Sequence, residues 1–247
     1  MPRKIVTISA SLTLMLVILI MPCTGVAQTA SLGVIGGIQG MFVLPPVTPA
    51  FETNSRSYTS RAKPFTFGPT VEVSLPRGLA VEVDALYKRL DYNYSFEGYG
   101  SGLWIAVEDH NIISRWDLPL LMKYRLRNIA HRPYFSGGLN TNYIVNTTQV
   151  NRQGVSTTLP VLISPPVKLR NAPPPRELTH RSSEGVVVAG GFEFSIHRIR
   201  LAPELRYTRW AHENFGRCFI VCGPNAQRLH SNLNQAEVLV TVKLAAE

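Results

Sequence analysis

A chain of 247 residues has room for one large domain or two small ones, and a single β-barrel of this length is ordinary. Its 25 Lys and Arg against 16 Asp and Glu give a net charge of +9, but basic charge alone specifies no nucleic acid. Past the N-terminal leader, no segment resembles a transmembrane helix.

The leader comes first in the chain. Arg3 and Lys4 precede the apolar run "IVTISASLTLMLVILIMP", and the small residues of "CTGVAQTA" follow. This order reads as a secretory signal peptide over residues 1–27. The competing reading, an uncleaved anchor, needs roughly 20 apolar residues, and Pro22 with the small residues after it opposes it. Cleavage after Ala27 places Gly25 at the −3 position and leaves 23 bases against 16 acids, a net +7. "IMP" before Cys23 lacks the small residues that precede a lipidated cysteine.

Residues 28–247 carry about eight alternating runs. They are 31–42, which is Gly-rich, then 65–75, 78–90, 113–126, 132–145, 185–196, 198–210 and 234–244. Side chains along a strand alternate faces, so each run has two surfaces. Their lengths suit the roughly 9–11 residues of a tilted bilayer-crossing strand. The links alternate strictly. Short ones fall at 76–77, 127–131 and 197, and long ones at 43–64, 91–112, 146–184 and 211–233. A meander with short turns at one end and long external loops at the other has this rhythm. Prolines keep the 146–184 link out of central strands, so it is expected to be mobile or extended.

One face of the runs is apolar, from Phe65 and Phe67 through Trp116, Leu118 and Leu139 to Leu205 and Val242. The other carries Glu72, Glu82, Asp84, Lys88, Asp117, Lys123, Arg125, Glu193, Arg200, Glu204, Arg206, Glu237 and Lys243. Alternation alone allows a soluble lipocalin-like barrel with the apolar face inside. Strand length, loop rhythm and aromatic clusters near strand ends favour the inverse, with lipid outside and ions within. One aromatic cluster, at the long-link end, includes Tyr87, Trp116, Tyr143, Tyr207 and the nearby Trp210. The fold class that follows is all-β: an eight-stranded antiparallel up-and-down transmembrane β-barrel, its lumen filled by side chains. Pro203 removes one ladder donor, so a bulge or local weakness is expected there.

"WDLPLLMKYRL" and "LAPELRYTRW" resemble the outer-membrane β-barrel domain proteins of Gram-negative bacteria. The chain is similar to the PorT-like group and, more distantly, to the small OmpA- and OmpX-type barrels. Asp117 to Tyr124 is the closest match, and "SNLNQAEVLVTVKL" resembles the closing strand. The chain ends in "VKLAAE", whereas many of these proteins end on an aromatic residue. The resemblance implies an outer-membrane barrel and no single activity.

Other chemistry was weighed on the same residues. Cys218 and Cys222 form an even pair in an exported chain, which reads as a loop disulfide. Their spacing also fits half a metal site, but no second Cys pair accompanies it. His180, Ser182, Ser183 and Glu184, with His230 and Ser231 further on, offer the residue types of an acyl hydrolase. The plainer reading is polar loop residues. "GVIGGIQG" lacks the Lys-Ser/Thr of a phosphate loop. The long links hold Arg56, Arg61, Lys63, Arg152, Lys168, Arg170, Arg176, Arg181, Arg217 and Arg228 against Glu52, Glu108, Asp109, Glu177, Glu184 and Glu213. That basic surface suits the anionic headgroups of an outer leaflet. The sequence therefore points to a non-enzymatic outer-membrane barrel with a structural or loop-binding role. No cofactor, metal or nucleic acid is implied, outer-membrane lipid is the partner, and the oligomeric state is open. A lipid-modifying hydrolase on the same barrel and a soluble exported binder of an apolar ligand are the alternatives.

Overall fold

The computed structural model describes residues 29–40, 54–60, 63–126, 132–157, 164–170, 172–175, 177–196, 198–216 and 229–244. The expected signal peptide, Cys218 and Cys222 lie outside them. Twelve strand segments follow in chain order: β1 (Thr29–Gln39), β2 (Asn54–Ser60), β3 (Phe65–Ser74), β4 (Leu79–Asp84), β5 (Leu86–Gly100) and β6 (Leu103–Arg125), then β7 (Pro133–Ser156), β8 (Val167–Leu169), β9 (Ser182–Phe192), β10 (Phe194–Ile196), β11 (Ile199–Trp210) and β12 (Asn234–Leu244).

These segments occupy eight positions of a closed antiparallel ring. β1 pairs with both β3 and β12, which joins the ends of the sheet. β4 and β5 form one ring position between β3 and β6. The ring continues through β7, β9 and β11 to β12. β10 prolongs β9 along β11 in the same register. β2 and β8 stand outside the ring, on the far parts of β5 and β7.

Proline explains both splits. Pro69 on β3 lies opposite Ala85 and Pro119 on β6 opposite Asp84, and neither can donate to the ladder there; the β4–β5 position is interrupted at Ala85. Pro203 acts likewise on the β9 side. The pairing of β11 with β12 runs unbroken from Ile199 to Arg209, while the pairing with β9 and β10 skips Pro203. Of the bulge or local weakness expected at Pro203, the ladder shows the weakness and no bulge. The lost donor falls on the other neighbour and divides β9 from β10 without a register shift.

The long links are corrected more substantially. Residues 91–112 are almost entirely strand. β5 and β6 run on as a hairpin that turns at Ser101 and Gly102, both with positive φ (54° and 79°), as a two-residue type I′ turn requires. β7 likewise continues to Ser156, so 146–156 is strand and not an extended loop. β6 has 23 residues and β7 has 24, about twice what a crossing needs. Alternation persists in "DYNYSFEGYG" and "LWIAVEDHNII"; what ends is the crossing, not the strand.

Below those extensions the apolar face points outward. Leu32, Phe65, Phe67, Met122, Phe135, Leu139, Val186, Leu205 and Leu244 are exposed, while the charged alternates are buried. From Leu79 to Tyr87 and from Tyr124 back to Trp116 are nine residues each, about 27 Å along a strand at ~3.4 Å per residue. With the usual tilt of about 40° this gives a belt about 21 Å tall, close to the ~25 Å apolar band of an outer-membrane barrel. Tyr87 sits at its upper rim beside Phe67 (5.5 Å between ring centroids) and Trp116 (5.4 Å).

Candidate functional site: an ionic lumen beneath an apolar cap

The residues Tyr87-Lys88-Arg89-Leu90 mark a reversal of polarity. Tyr87 points out and Lys88 in, as below; one step higher, Arg89 points out and Leu90 in. β6 reverses at the same level, where Trp116 and Arg115 give way to Ser114 and Ile113. Above it the outward residues of β5 and β6 include Asn93, Ser95, Glu97, Glu108 and His110. The strand period is unchanged. What differs is the solvent each face must satisfy.

Beneath the reversal the lumen is filled with ions. All thirteen charged residues of the inward face lie there, eleven of them buried and Arg125 and Arg200 less so. Glu72 and Glu82, from β3 and β4, share Lys123 and Lys243. Lys123 Nζ lies 2.6 Å from Glu82 and 3.2 Å from Glu72, and Lys243 Nζ lies 2.7 Å from Glu72. Arg125 reaches from Glu72 to Glu193 (2.6 Å to the latter), and Arg200 closes on Glu193 at 3.6 Å. Arg206 pairs with Asp84 (2.8 Å) and Glu204 (2.7 Å) and approaches Glu82 (3.7 Å), which connects the two groups. A third group lies nearer the reversal. There Lys88 is 2.7 Å from both Asp117 and Glu237. Ile35, Leu86 and Leu239 form a small apolar cluster of their own, and Glu237 is the cross-strand partner of Arg206.

Three members were missed in the sequence. Arg115 shares the parity of Asp117 and grips it through Nε (2.5 Å) and Nη2 (2.8 Å); the alternation in "SRWD" carried that signal. Arg115 brings the lumen to seven bases and seven acids. Trp210 belongs inside too, not to the aromatic girdle. It is 4 % exposed, lies under the Arg115 guanidinium (4.8 Å) and donates to Gln235 (3.1 Å). Its even number matches Arg206 and Thr208, so parity alone places it inward. Tyr134 donates to Glu204 (3.0 Å) and lies under Lys123 (4.3 Å). A Cβ at Gly191 would collide with the Tyr134 ring, so glycine makes room for it.

Above the reversal the lumen is apolar. Leu90, Tyr92, Ile113 and Ile144 from the ring meet Tyr58, Leu178, Phe215 and Leu229 from the connections. The segments 177–180, 214–216 and 229–231 fold into the mouth. Leu178 and Phe215 form an isolated bridge, and Thr179 N donates to Asn214 O (2.7 Å). The Asn214 side chain donates to Asn142 on the inner wall (3.0 Å). Glu177 accepts from the hydroxyls of Tyr58 (3.4 Å) and Tyr92 (3.3 Å). This cap was not legible, because these hydrogen bonds join residues from 35 to 119 positions apart.

The hydrolase residues do not assemble. Ser183 donates to the His212 carbonyl (2.7 Å), and His180 Nδ1 meets the Glu213 carbonyl (3.2 Å). Ser231 accepts from the backbone N–H groups of Asn214 and Phe215. Among the described residues, no group of three or more His, Cys, Asp or Glu is placed to hold a metal.

A closed antiparallel barrel with an apolar belt outside and paired ions inside is an outer-membrane architecture. The chain belongs to the outer membrane protein beta-barrel domain family, whose model matches residues 26–209, and its place is the outer membrane. A similar solved structure is the outer membrane protein OprG from Pseudomonas aeruginosa, at 12 % identity and a TM-score of 0.42, covering 89 % of this chain and 96 % of that one. No curated protein matches.

Proposed function

We propose that the protein is a non-enzymatic outer-membrane barrel whose belt is a closed anchor and whose outward hairpins present a binding surface. The single observation that carries this reading is the reversal at Tyr87–Leu90. An apolar core inside a polar exterior is how a water-exposed module is built. Here it rises from an anchor whose own lumen is occupied by ion pairs. In this family's architecture the long connections face outside the cell, which sets the hairpins at the cell surface. Among the hydrolase candidates, Ser183 and His180 engage backbone carbonyls rather than each other, which supports the non-enzymatic reading.

Planar-bilayer recording of the purified protein tests the closed anchor. The expected trace has no stable conductance steps, and a steady ohmic conductance contradicts it. Replacing residues 95–108 with a two-residue Asn-Gly turn tests the surface role in a strain lacking the native chain. The trimmed barrel is expected to insert normally and fail to restore the wild-type phenotype. Full restoration contradicts the assignment.

A further inference from the structure

The barrel wall carries a lateral notch just above the aromatic rim. Below it, β7 is held by β9 through Tyr143 opposite Ser182, and Ile144 N donates to Arg181 O (2.9 Å). Above it, β7 is held by a different segment. Ala172 N donates to Thr147 O (2.9 Å), and β8 pairs at Gln149–Asn151. Val145 is the extra residue where the β6–β7 register shifts, opposite Ser114 and Arg115. The gap between the two neighbours is a cavity of about 180 Å³. Ile144, Val145, Ala172, Pro174 and Leu178 supply apolar wall, and Asn146, Thr147 and Arg181 supply the polar part.

The basic side chains around it lack carboxylate partners among the described residues. Lys168, Arg170 and Arg181 are exposed, and no described carboxylate pairs with any of them. Glu177, four residues before Arg181, accepts from Tyr58 and Tyr92, and the exposed Glu184, three residues after it, lies on β9 opposite Thr141. The notch also continues the lipid-facing surface, since Tyr143 and Val145 are each 44 % exposed. A recess of mixed polar and apolar lining at headgroup level, beside guanidinium groups that no described carboxylate pairs, fits an anionic amphiphile.

We infer that this notch binds a phosphate-bearing lipid of the outer leaflet. Arg181 takes the phosphate, Lys168 and Arg170 add field, and the first methylenes lie on Val145, Pro174 and Leu178. Lipid rather than free phosphate is favoured because the recess opens at the membrane rim, beside the exposed Tyr143 and Val145 side chains. The inference does not depend on whether the hairpins bind a partner.

The test is a titration of the full-length protein in neutral detergent, followed by NMR shifts at Val145, Thr147 and Ala172. The probes are dihexanoyl phosphatidic acid and, separately, inorganic phosphate. Saturable lipid binding is expected, at least tenfold tighter than inorganic phosphate. Arg181→Ala is expected to weaken it about tenfold, and Ala172→Phe to remove the lipid response. Heat-dependent gel mobility verifies that both variants fold. Equal affinity for both probes makes the site one for free anions and overturns the inference. Absence of saturation, or an Arg181→Ala variant that binds like wild type, also overturns it.

Discussion

The belt and the cap are built from the same strands with opposite polarity. Within the belt, Leu139 and Leu205 face out while Arg206 and Lys123 are buried inside. Within the cap, Leu90, Tyr92 and Ile113 are buried inside while Asn93 and Glu108 face out. The belt's apolar surface stays exposed because lipid covers it, so its core is held by ions that need partners. The cap is surrounded by water, so the ordinary hydrophobic effect organises it. Apolar burial between side chains therefore drives the cap, whereas pairing and backbone closure hold the belt.

Substitutions separate the two regimes. The largest effect is expected from Glu82→Ala. It strips a shared partner from Lys123, Lys243 and Arg206, and breaking a buried ion group in this way costs about 3–5 kcal/mol. Urea unfolding of the barrel in vesicles measures it. Phe215→Ala removes a fully buried ring from the cap and should cost about 3 kcal/mol. Hydrogen exchange is expected to rise at 177–180 and 214–216, while heat-dependent mobility of the barrel persists. Leu139→Lys puts a charge on the outer face near mid-belt, between Phe135 and Tyr143, at about 2–4 kcal/mol. Glu97→Lys puts the same side chain on the exposed outer face above the reversal and should change stability by less than about 0.5 kcal/mol. Equal costs for those two lysines would erase the contrast between belt and cap.

Much of the belt was legible in the sequence, because period-two alternation and the turn rhythm are local properties. The eight ring positions correspond to the eight alternating runs, and the inward charges share one parity. Arg115 and Trp210 show that parity reaches further than hydropathy: both follow from their neighbours, yet a tryptophan near a strand end invites placement in the girdle. The hairpin extensions were hidden by an assumption about length. "DYNYSF" alternates as well as any belt strand, but beyond the crossing its apolar residues turn inward. The cap was illegible for another reason. Leu178, Phe215 and Leu229 lie in Pro-, Gly- and polar-rich connections, and only closure of the ring brings them over Tyr92.

Depth measurement tests the reversal most directly. With Cys23, Cys218 and Cys222 replaced by serine, single spin labels are placed at outward positions 81, 83, 87, 93, 95 and 97 in lipid vesicles. Collision with oxygen is compared with collision with a water-soluble nickel complex. Oxygen is expected to dominate at 81, 83 and 87, and nickel at 93, 95 and 97, with the crossover between Tyr87 and Asn93. Nickel access throughout 81–87 would contradict the lipid-facing belt, and oxygen dominance continuing to 97 would contradict the water-exposed cap.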